Sequence, residues 1–327
     1  MTIERRTDII KVAVIGCGGR GKGELRAISA FEDVEVVALC DPVPEALAQA
    51  GEEFEVQRRY ESIEALLDAG GIDAAFVTTP AHLNAPSALP CLEAGVHILV
   101  EKPPGMRVDE TIELRETAER TGAKAMVGWQ RRFNPFIVEA RRRVEERGPI
   151  VQIVGEFHKS VTWFEESGIY PEAVLDRLLM ESPIHAIDCI RCLAGSEVAE
   201  VHSVVQRRFS KYNDLHAALV VFENGCVAQF GANYTGDGRL ERYEIHGQGI
   251  SAYLEGIKGG YVLADGKREE LDAEGDAIHL KDAFFFECLR DDRPIGPPGA
   301  NLEEAVKSME LAEAILAGLR DGQAERA

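Results

Sequence analysis

No apolar run in this chain is long enough to cross a bilayer. No basic stripe with interleaved aromatics answers its net charge of −20. Its seven cysteines are too few and too scattered for a disulfide framework. These absences set aside membrane insertion and nucleic acid as a partner, and they favour a reducing cytoplasm. The G-x-S-x-G turn of a serine hydrolase is missing as well. Two other chemistries come close and fall short. Cys189 and Cys192 form a C-x-x-C with no second pair, and His185 with Asp188 has no further His or Cys cluster to complete a coordination shell, so no metal is predicted. Arg5-Arg6 invites a twin-arginine reading, but the apolar residues 9–15 have no cleavage site and lead straight into a glycine turn, so they read as a first strand.

What is present is a 327-residue chain, 45% hydrophobic and 28% charged, the composition of a globular protein large enough for two domains. Residues 11–15 are a buried strand by composition. Gly16-Cys17-Gly18-Gly19-Arg20-Gly21 and a helical segment with Leu25 and Ile28 follow at once. Gly16, Gly18 and Gly21 match G-x-G-x-x-G, and strand, turn and helix N-terminus together aim backbone N–H groups at a pyrophosphate. A second strand, Val34–Cys40, ends at Asp41, twenty residues beyond Gly21. A carboxylate there accepts hydrogen bonds from the adenosine ribose and repels a 2′-phosphate, which predicts NAD over NADP. Arg20 is either a phosphate partner or a solvated turn residue.

The alternation continues. Ser62 reads as an N-cap for 63–67, and 72–78 is a strand broken by Thr79-Pro80. A helix at 85–94 is closed by Gly95, a strand ends on Glu101-Lys102-Pro103-Pro104, a helix spans 110–120, and a sixth strand spans 124–129. Strands alternating with helices through short links give a doubly wound parallel sheet. Thr79-Pro80 and Glu101-Lys102 end neighbouring strands on the edge that carries the glycine turn, where the nicotinamide half of the cofactor is expected. Proline stiffens the backbone around Lys102, so that amine is held rather than mobile.

Asn134-Pro135 then starts a connecting helix closed by Gly148, and the pattern changes to strands at 150–158, 198–208, 215–223, 226–232 and 242–246. Asn224-Gly225 is a hairpin signal between two of them. This half is expected to be α+β, with a large, mostly antiparallel open sheet, and 301–319 reads as a long C-terminal helix able to pack back on the first domain. The predicted domains are 1–131 and 132–327. Ser182 as N-cap and Pro183 at the first helical position start a helix that puts His185 and Asp188 on one face. There the helix dipole favours a neutral imidazole able to accept a proton, and Glu181 just before the cap is a carboxylate partner. Arg132, Trp163 and Tyr234 are candidate walls of a substrate pocket.

Gly16-x-Gly18-x-x-Gly21, Thr79-Pro80-Ala81-His82, Ala94-Gly95-Val96-His97-Ile98, Glu101-Lys102-Pro103 and Gly128-Trp129-Gln130-Arg131-Arg132-Phe133-Asn134-Pro135 together resemble the glucose-fructose oxidoreductase, inositol dehydrogenase and rhizopine catabolism (Gfo/Idh/MocA) family. Asn84 stands where many members carry a histidine after Thr-Pro, and Glu181 and Pro183 replace the Asp and Gly of Asp-x-Gly-x-His-x-x-Asp. The resemblance implies a cis Lys102–Pro103 peptide and a lysine reaching the nicotinamide ribose and the substrate. It also implies that Thr79, Pro80, His82, Glu101, Lys102 and Gln130 join Gly16, Cys17, Gly18, Gly19, Arg20, Gly21 and Asp41 around NAD. Catalysis falls to Lys102, His185 and Glu181, with the amine and the imidazole expected beside one nicotinamide ring. The open sheet is expected to be covered by a second subunit, giving a homodimer or homotetramer. The resulting expectation is an NAD-dependent dehydrogenase acting on a sugar, polyol or inositol. Two alternatives stay open: a glycosidase or lyase using transient oxidation, and a non-catalytic dinucleotide-binding regulator.

Overall fold

A computed structural model describes residues 9–168 and 170–319, so Arg5-Arg6 lies outside the described residues. They divide into two compact units. One holds the residues up to Gln130 together with Asp276–Val306, and the other Arg131–Gly275 together with those from Lys307 on. The stretch Asp276–Val306, which lies inside the expected second domain, thus clusters with the first unit.

The first unit is built on six parallel strands: β1 (Ile10–Ile15), β2 (Val34–Cys40), β3 (Arg58–Tyr60), β4 (Ala74–Val77), β5 (His97–Val100) and β6 (Ala125–Val127). Their order is β3-β2-β1-β4-β5-β6. The order reverses between β1 and β4, which opens a ligand crevice at the carboxyl ends of those strands. All four residues of β4 are fully buried, as are Ile98, Leu99 and Val100 of β5, because helices cover both faces. Part of that cover is the helix Ala277–Arg290, whose Phe285 and Phe286 lie 5.8 and 5.7 Å from the Phe76 ring. The predicted Ser62 cap forms, its hydroxyl accepting the Ala65 N–H, and Gly122 ends the helix Val108–Thr121 in the left-handed conformation. The sixth strand is shorter than the predicted 124–129, since the chain turns at Gly128 and buries Trp129.

The second unit carries eight strands: β7 (Gln152–Ser160), β8 (Val198–Gln206), β9 (Leu215–Phe222), β10 (Val227–Asn233), β11 (Thr235–Gly247), β12 (Ile250–Glu255), β13 (Gly260–Ala264) and β14 (Lys267–Glu270), ordered β14-β13-β12-β11-β7-β10-β9-β8. Only β10 and β7 pair in parallel. The hairpin at Asn224-Gly225 forms, with Gly225 at φ +83°. The strand expected at 242–246 is the second half of the longer β11, and β12 to β14 extend the sheet beyond the predicted strands. One face alternates into the core and the other is open. The helix Ile184–Ala194 lies so close to the covered face that a Cβ on Gly155 would stand 2.6 Å from Ile190 Cγ2. The C-terminal helix spans Leu302–Leu316, its residues up to Val306 falling in the first unit and the rest in the second.

Candidate functional site

In the first unit, β1 runs into Gly16 at φ +95°, a backbone that L side chains rarely adopt. A Cβ on Gly21 would lie 1.8 Å from Gly16 O, so only glycine lets the turn fold onto itself. Gly18 and Gly19 have nothing within 4 Å of an added Cβ. They face open space at the start of the helix Gly19–Ile28, whose N-terminus no side chain caps. Uncapped N–H groups carrying the positive end of a helix dipole suit an anion.

Asp41 follows β2, 8% exposed, and accepts the Cys17 N–H at 2.7 Å and the Val43 N–H at 2.8 Å. These two bonds orient the carboxylate, and each oxygen keeps a lone pair for a diol. The Cys17 thiol is buried and, chiefly for that reason, pushed up to about 12, so it stays a neutral thiol.

At the ends of β4 and β5, Thr78 Oγ1 donates to Gly16 O at 2.7 Å, locking the glycine turn to the next strand. Thr79 Oγ1 donates to Asn84 Oδ1 at 2.9 Å, and Asn84 Nδ2 donates to the carbonyls of Glu101 at 3.1 Å and Pro103 at 2.8 Å. Asn84 thus braces the loop that holds the cis Lys102–Pro103 peptide. The Glu101 carboxylate is 6% exposed and takes the Arg20 guanidinium, Nε to Oε1 at 2.8 Å. A Cβ on Gly128 would stand 3.0 Å from Glu101 Oε1, so Gly128 makes room for that carboxylate.

A dinucleotide fits these residues. Besides the glycine cradle, His82 Nδ1 and Gln130 Oε1 are buried polar atoms without a hydrogen-bond partner among the described residues. Such atoms are costly unless something else pairs with them.

The second unit gathers a different set. His185 lies in the first turn of Ile184–Ala194, 7% exposed, its ring nearly parallel to Phe157 with centroids 6.5 Å apart. Ser182 does not cap that helix, which differs from the sequence expectation. Its hydroxyl instead takes a 2.5 Å bond from Lys159 Nζ and contacts Glu181, because a short helical turn at Leu178–Glu181 already leads the chain into Pro183. Glu181 is 9% exposed, with Lys159 Nζ at 3.6 Å and the Tyr170 hydroxyl donating at 3.4 Å. Burial, and then the Glu181 charge, hold the Tyr170 phenol well above its ordinary range.

Asp188 shares the helix with His185 but accepts a bidentate pair from Arg132 at 2.7 and 2.8 Å and the Ser308 hydroxyl at 2.9 Å. Arg132 is therefore the partner of a helix carboxylate. Trp163 is 55% exposed and lies edge-on to Phe164. Tyr234 is 1% exposed inside the cluster of Val161, Phe164, Leu175, Leu178 and Tyr212, and donates to Leu178 O at 2.9 Å.

The sequence reading did not single out Lys159 or Tyr170. Lys159 carried a signal, since it shares strand parity with Ile153, Gly155 and Phe157 on the covered face of β7, where a lysine needs a partner. Tyr170 sits between short helices and shows no periodicity that would have marked it.

Residues 10–129 match the family described as "Oxidoreductase family, NAD-binding Rossmann fold", and residues 137–252 match the "GFO/IDH/MocA C-terminal domain". The chain is 24% identical over 307 residues to the scyllo-inositol 2-dehydrogenase (NAD(+)) of Bacillus subtilis strain 168, covering 86% of each. It is 27% identical over 338 residues to the D-apiose dehydrogenase of Paraburkholderia graminis, covering 96% of this chain and 88% of that one. The aldose-aldose oxidoreductase of Caulobacter crescentus has the same fold, with a TM-score of 0.85 at 21% identity over 96% of this chain and 98% of that one.

Proposed function

The chain belongs to the Gfo/Idh/MocA family of NAD-binding oxidoreductases, and from that premise we propose that it oxidises a secondary hydroxyl of a sugar, inositol or related polyol. The observation that carries this reading is the cradle at Gly16, Gly18 and Gly21 above an uncapped helix, with the oriented Asp41 carboxylate at the end of β2. The relatives whose names specify scyllo-inositol and D-apiose supply the substrate class. Bound NAD supplies the acceptor for the two electrons and the hydrogen that leave the carbinol carbon.

The chain's own residues do the rest. Gly18, Gly19 and Arg20 offer backbone N–H groups to the pyrophosphate, and Asp41 accepts from the ribose diol and disfavours a 2′-phosphate. Thr79, Pro80, His82, Glu101 and Gln130 line the nicotinamide end. His185 accepts the hydroxyl proton, Lys102 stabilises the developing oxyanion or relays that proton, and Glu181 holds substrate together with Lys159. Trp163, more than half exposed, is an aromatic suited to an apolar sugar face.

Lys102→Met and His185→Ala should each lower turnover by about 10²- to 10⁴-fold while NAD affinity stays near that of the parent. Parent-like turnover in either variant refutes the assignment, and NAD that copurifies tightly without any cofactor turnover refutes the dehydrogenase reading. Asp41→Ala should narrow the preference for NAD over NADP.

The open face of the second sheet exposes Val204, Leu219 and Leu263, and we assign it to pairing with another copy of the chain as a homodimer or homotetramer. Light scattering that returns a monomer at micromolar concentration counts against this. All seven cysteines are free thiols, which suits the cytoplasm.

A further inference from the structure

The first unit joins five ionisable side chains in one chain of contacts, four of them buried and Arg20 about a third exposed. Arg20, in the first turn after the glycine cradle, reaches Glu101 Oε1 through Nε at 2.8 Å and Glu24 Oε1 through Nη2 at 2.5 Å. Lys281 Nζ, on the helix Ala277–Arg290, donates to Glu24 Oε1 at 2.8 Å and lies 3.0 Å from Asp282 Oδ1. The side chains of Glu24, Lys281 and Asp282 are wholly inaccessible to solvent. Glu24 lies on the buried stripe of its helix with Gly21, Leu25 and Ile28, and Lys281 on that of its own with Phe285 and Cys288. Charges in such positions are costly to desolvate and survive only when paired.

We propose that Arg20 is a positioning residue: it ties Glu101, and with it the Lys102–Pro103 loop, to the helix that carries the cofactor cradle, while the Glu24–Lys281–Asp282 cluster holds Arg20 from below. The inference rests on the reading of Lys102 as a catalytic residue. The connectivity is direct, because Glu101 precedes Lys102 in the chain and its carboxylate is anchored on one side by Arg20 and bounded on another by Gly128.

Burial would raise Glu24, but Lys281 and Arg20 outweigh it and hold Glu24 low, so it is ionised. Burial raises Asp282 well above its ordinary value, with Glu24 adding to the shift against Lys281. Arg20 pairs with both Glu24 and Glu101, and Lys281 with Glu24. Because the Arg20 side chain serves two carboxylates, the pyrophosphate is left to backbone N–H groups, and Arg20 is not its cation.

The test is the split between binding and turnover. Arg20→Met should leave the Kd for NADH within about twofold, lower kcat about tenfold, and shift the pH–rate profile and the emission of bound NADH, both of which report the surroundings of the nicotinamide. Arg20→Lys, which keeps the charge but cannot fork between two carboxylates, should fall between the two. A tenfold weaker NADH Kd with kcat and emission unchanged makes Arg20 a phosphate ligand and overturns the proposal, as does a variant in which nothing changes. If the parent protein turns over no polyol, the functional reading fails, while the emission arm still decides this one. For the cluster beneath, Lys281→Met should lower Tm by about 5 °C or more, and Glu24→Gln/Lys281→Met, which removes both charges, should recover most of it. A Tm unchanged in Lys281→Met, or a double variant no better than the single, shows that the cluster does not hold Arg20.

Discussion

The two sheets differ in how many faces they hide. β4 and the last three residues of β5 are buried on both sides, so these central strands of the first sheet are uninterrupted apolar runs. β9 reads Leu-His-Ala-Ala-Leu-Val-Val-Phe and hides only His216, Ala218, Val220 and Phe222, leaving Leu219 at 41% exposure. The two kinds of strand therefore carry different freedom. A doubly buried strand has no position to spare for chemistry except its end, and Asp41 and Glu101-Lys102 follow directly on β2 and β5. A singly buried strand can carry a charged side chain within the strand itself, as β7 does with Lys159.

This contrast can be broken at measurable points. Phe76→Ala, in a doubly buried strand against Phe285 and Phe286, should cost about 4 kcal/mol in urea unfolding of the first unit. A loss under 1 kcal/mol would mean that the helix Ala277–Arg290 does not cover that face. Arg132→Met, which leaves Asp188 buried beside Ser308, should cost about 3 kcal/mol. Arg132→Met/Asp188→Leu should return much of it, separating a structural ion pair from a substrate contact.

His216, on the covered face of β9, is lowered by burial from 6.5 to about 4. The unfolded chain therefore takes up the proton first. The contribution of His216 is complete above pH 6.5 and is lost as the pH falls from 6.5 toward 4, by up to about 3 kcal/mol. His216→Gln should flatten that acid limb in a series of melting temperatures, and an unchanged limb would show that the imidazole is not held neutral. The smallest effect belongs to the open face: Leu219→Ser should change the stability of the isolated chain by no more than about 0.5 kcal/mol, while weakening any association measured by light scattering.

Much of the candidate site was legible because it is local. Gly16, Gly18 and Gly21, then Asp41, then Glu101-Lys102-Pro103 each sit where a strand ends, and strand ends are marked by composition and punctuation. His185 was placed in the first turn of its helix for the same reason, although the expected Ser182 cap was not formed, since the short helical turn before it leads into Pro183 and Lys159 of β7 binds the hydroxyl. β12 to β14 and the helix Ala277–Arg290 escaped the reading: the strands are short, between four and six residues, and Lys281 and Asp282 interrupt the helix's apolar stripe with charge.

The sequence alone settled what periodicity and turn chemistry decide within a dozen residues: a parallel sheet of apolar runs, a glycine cradle, an acid at the end of β2, a stiffened lysine, and a second half of alternating strands. Tertiary structure alone decided which charges meet. Glu24 and Lys281 are 257 positions apart, and Arg20 and Glu101 are 81 apart. No local pattern encodes such pairs, because the energy that selects them is the desolvation cost of each charge, which exists only once the surrounding side chains have closed over it.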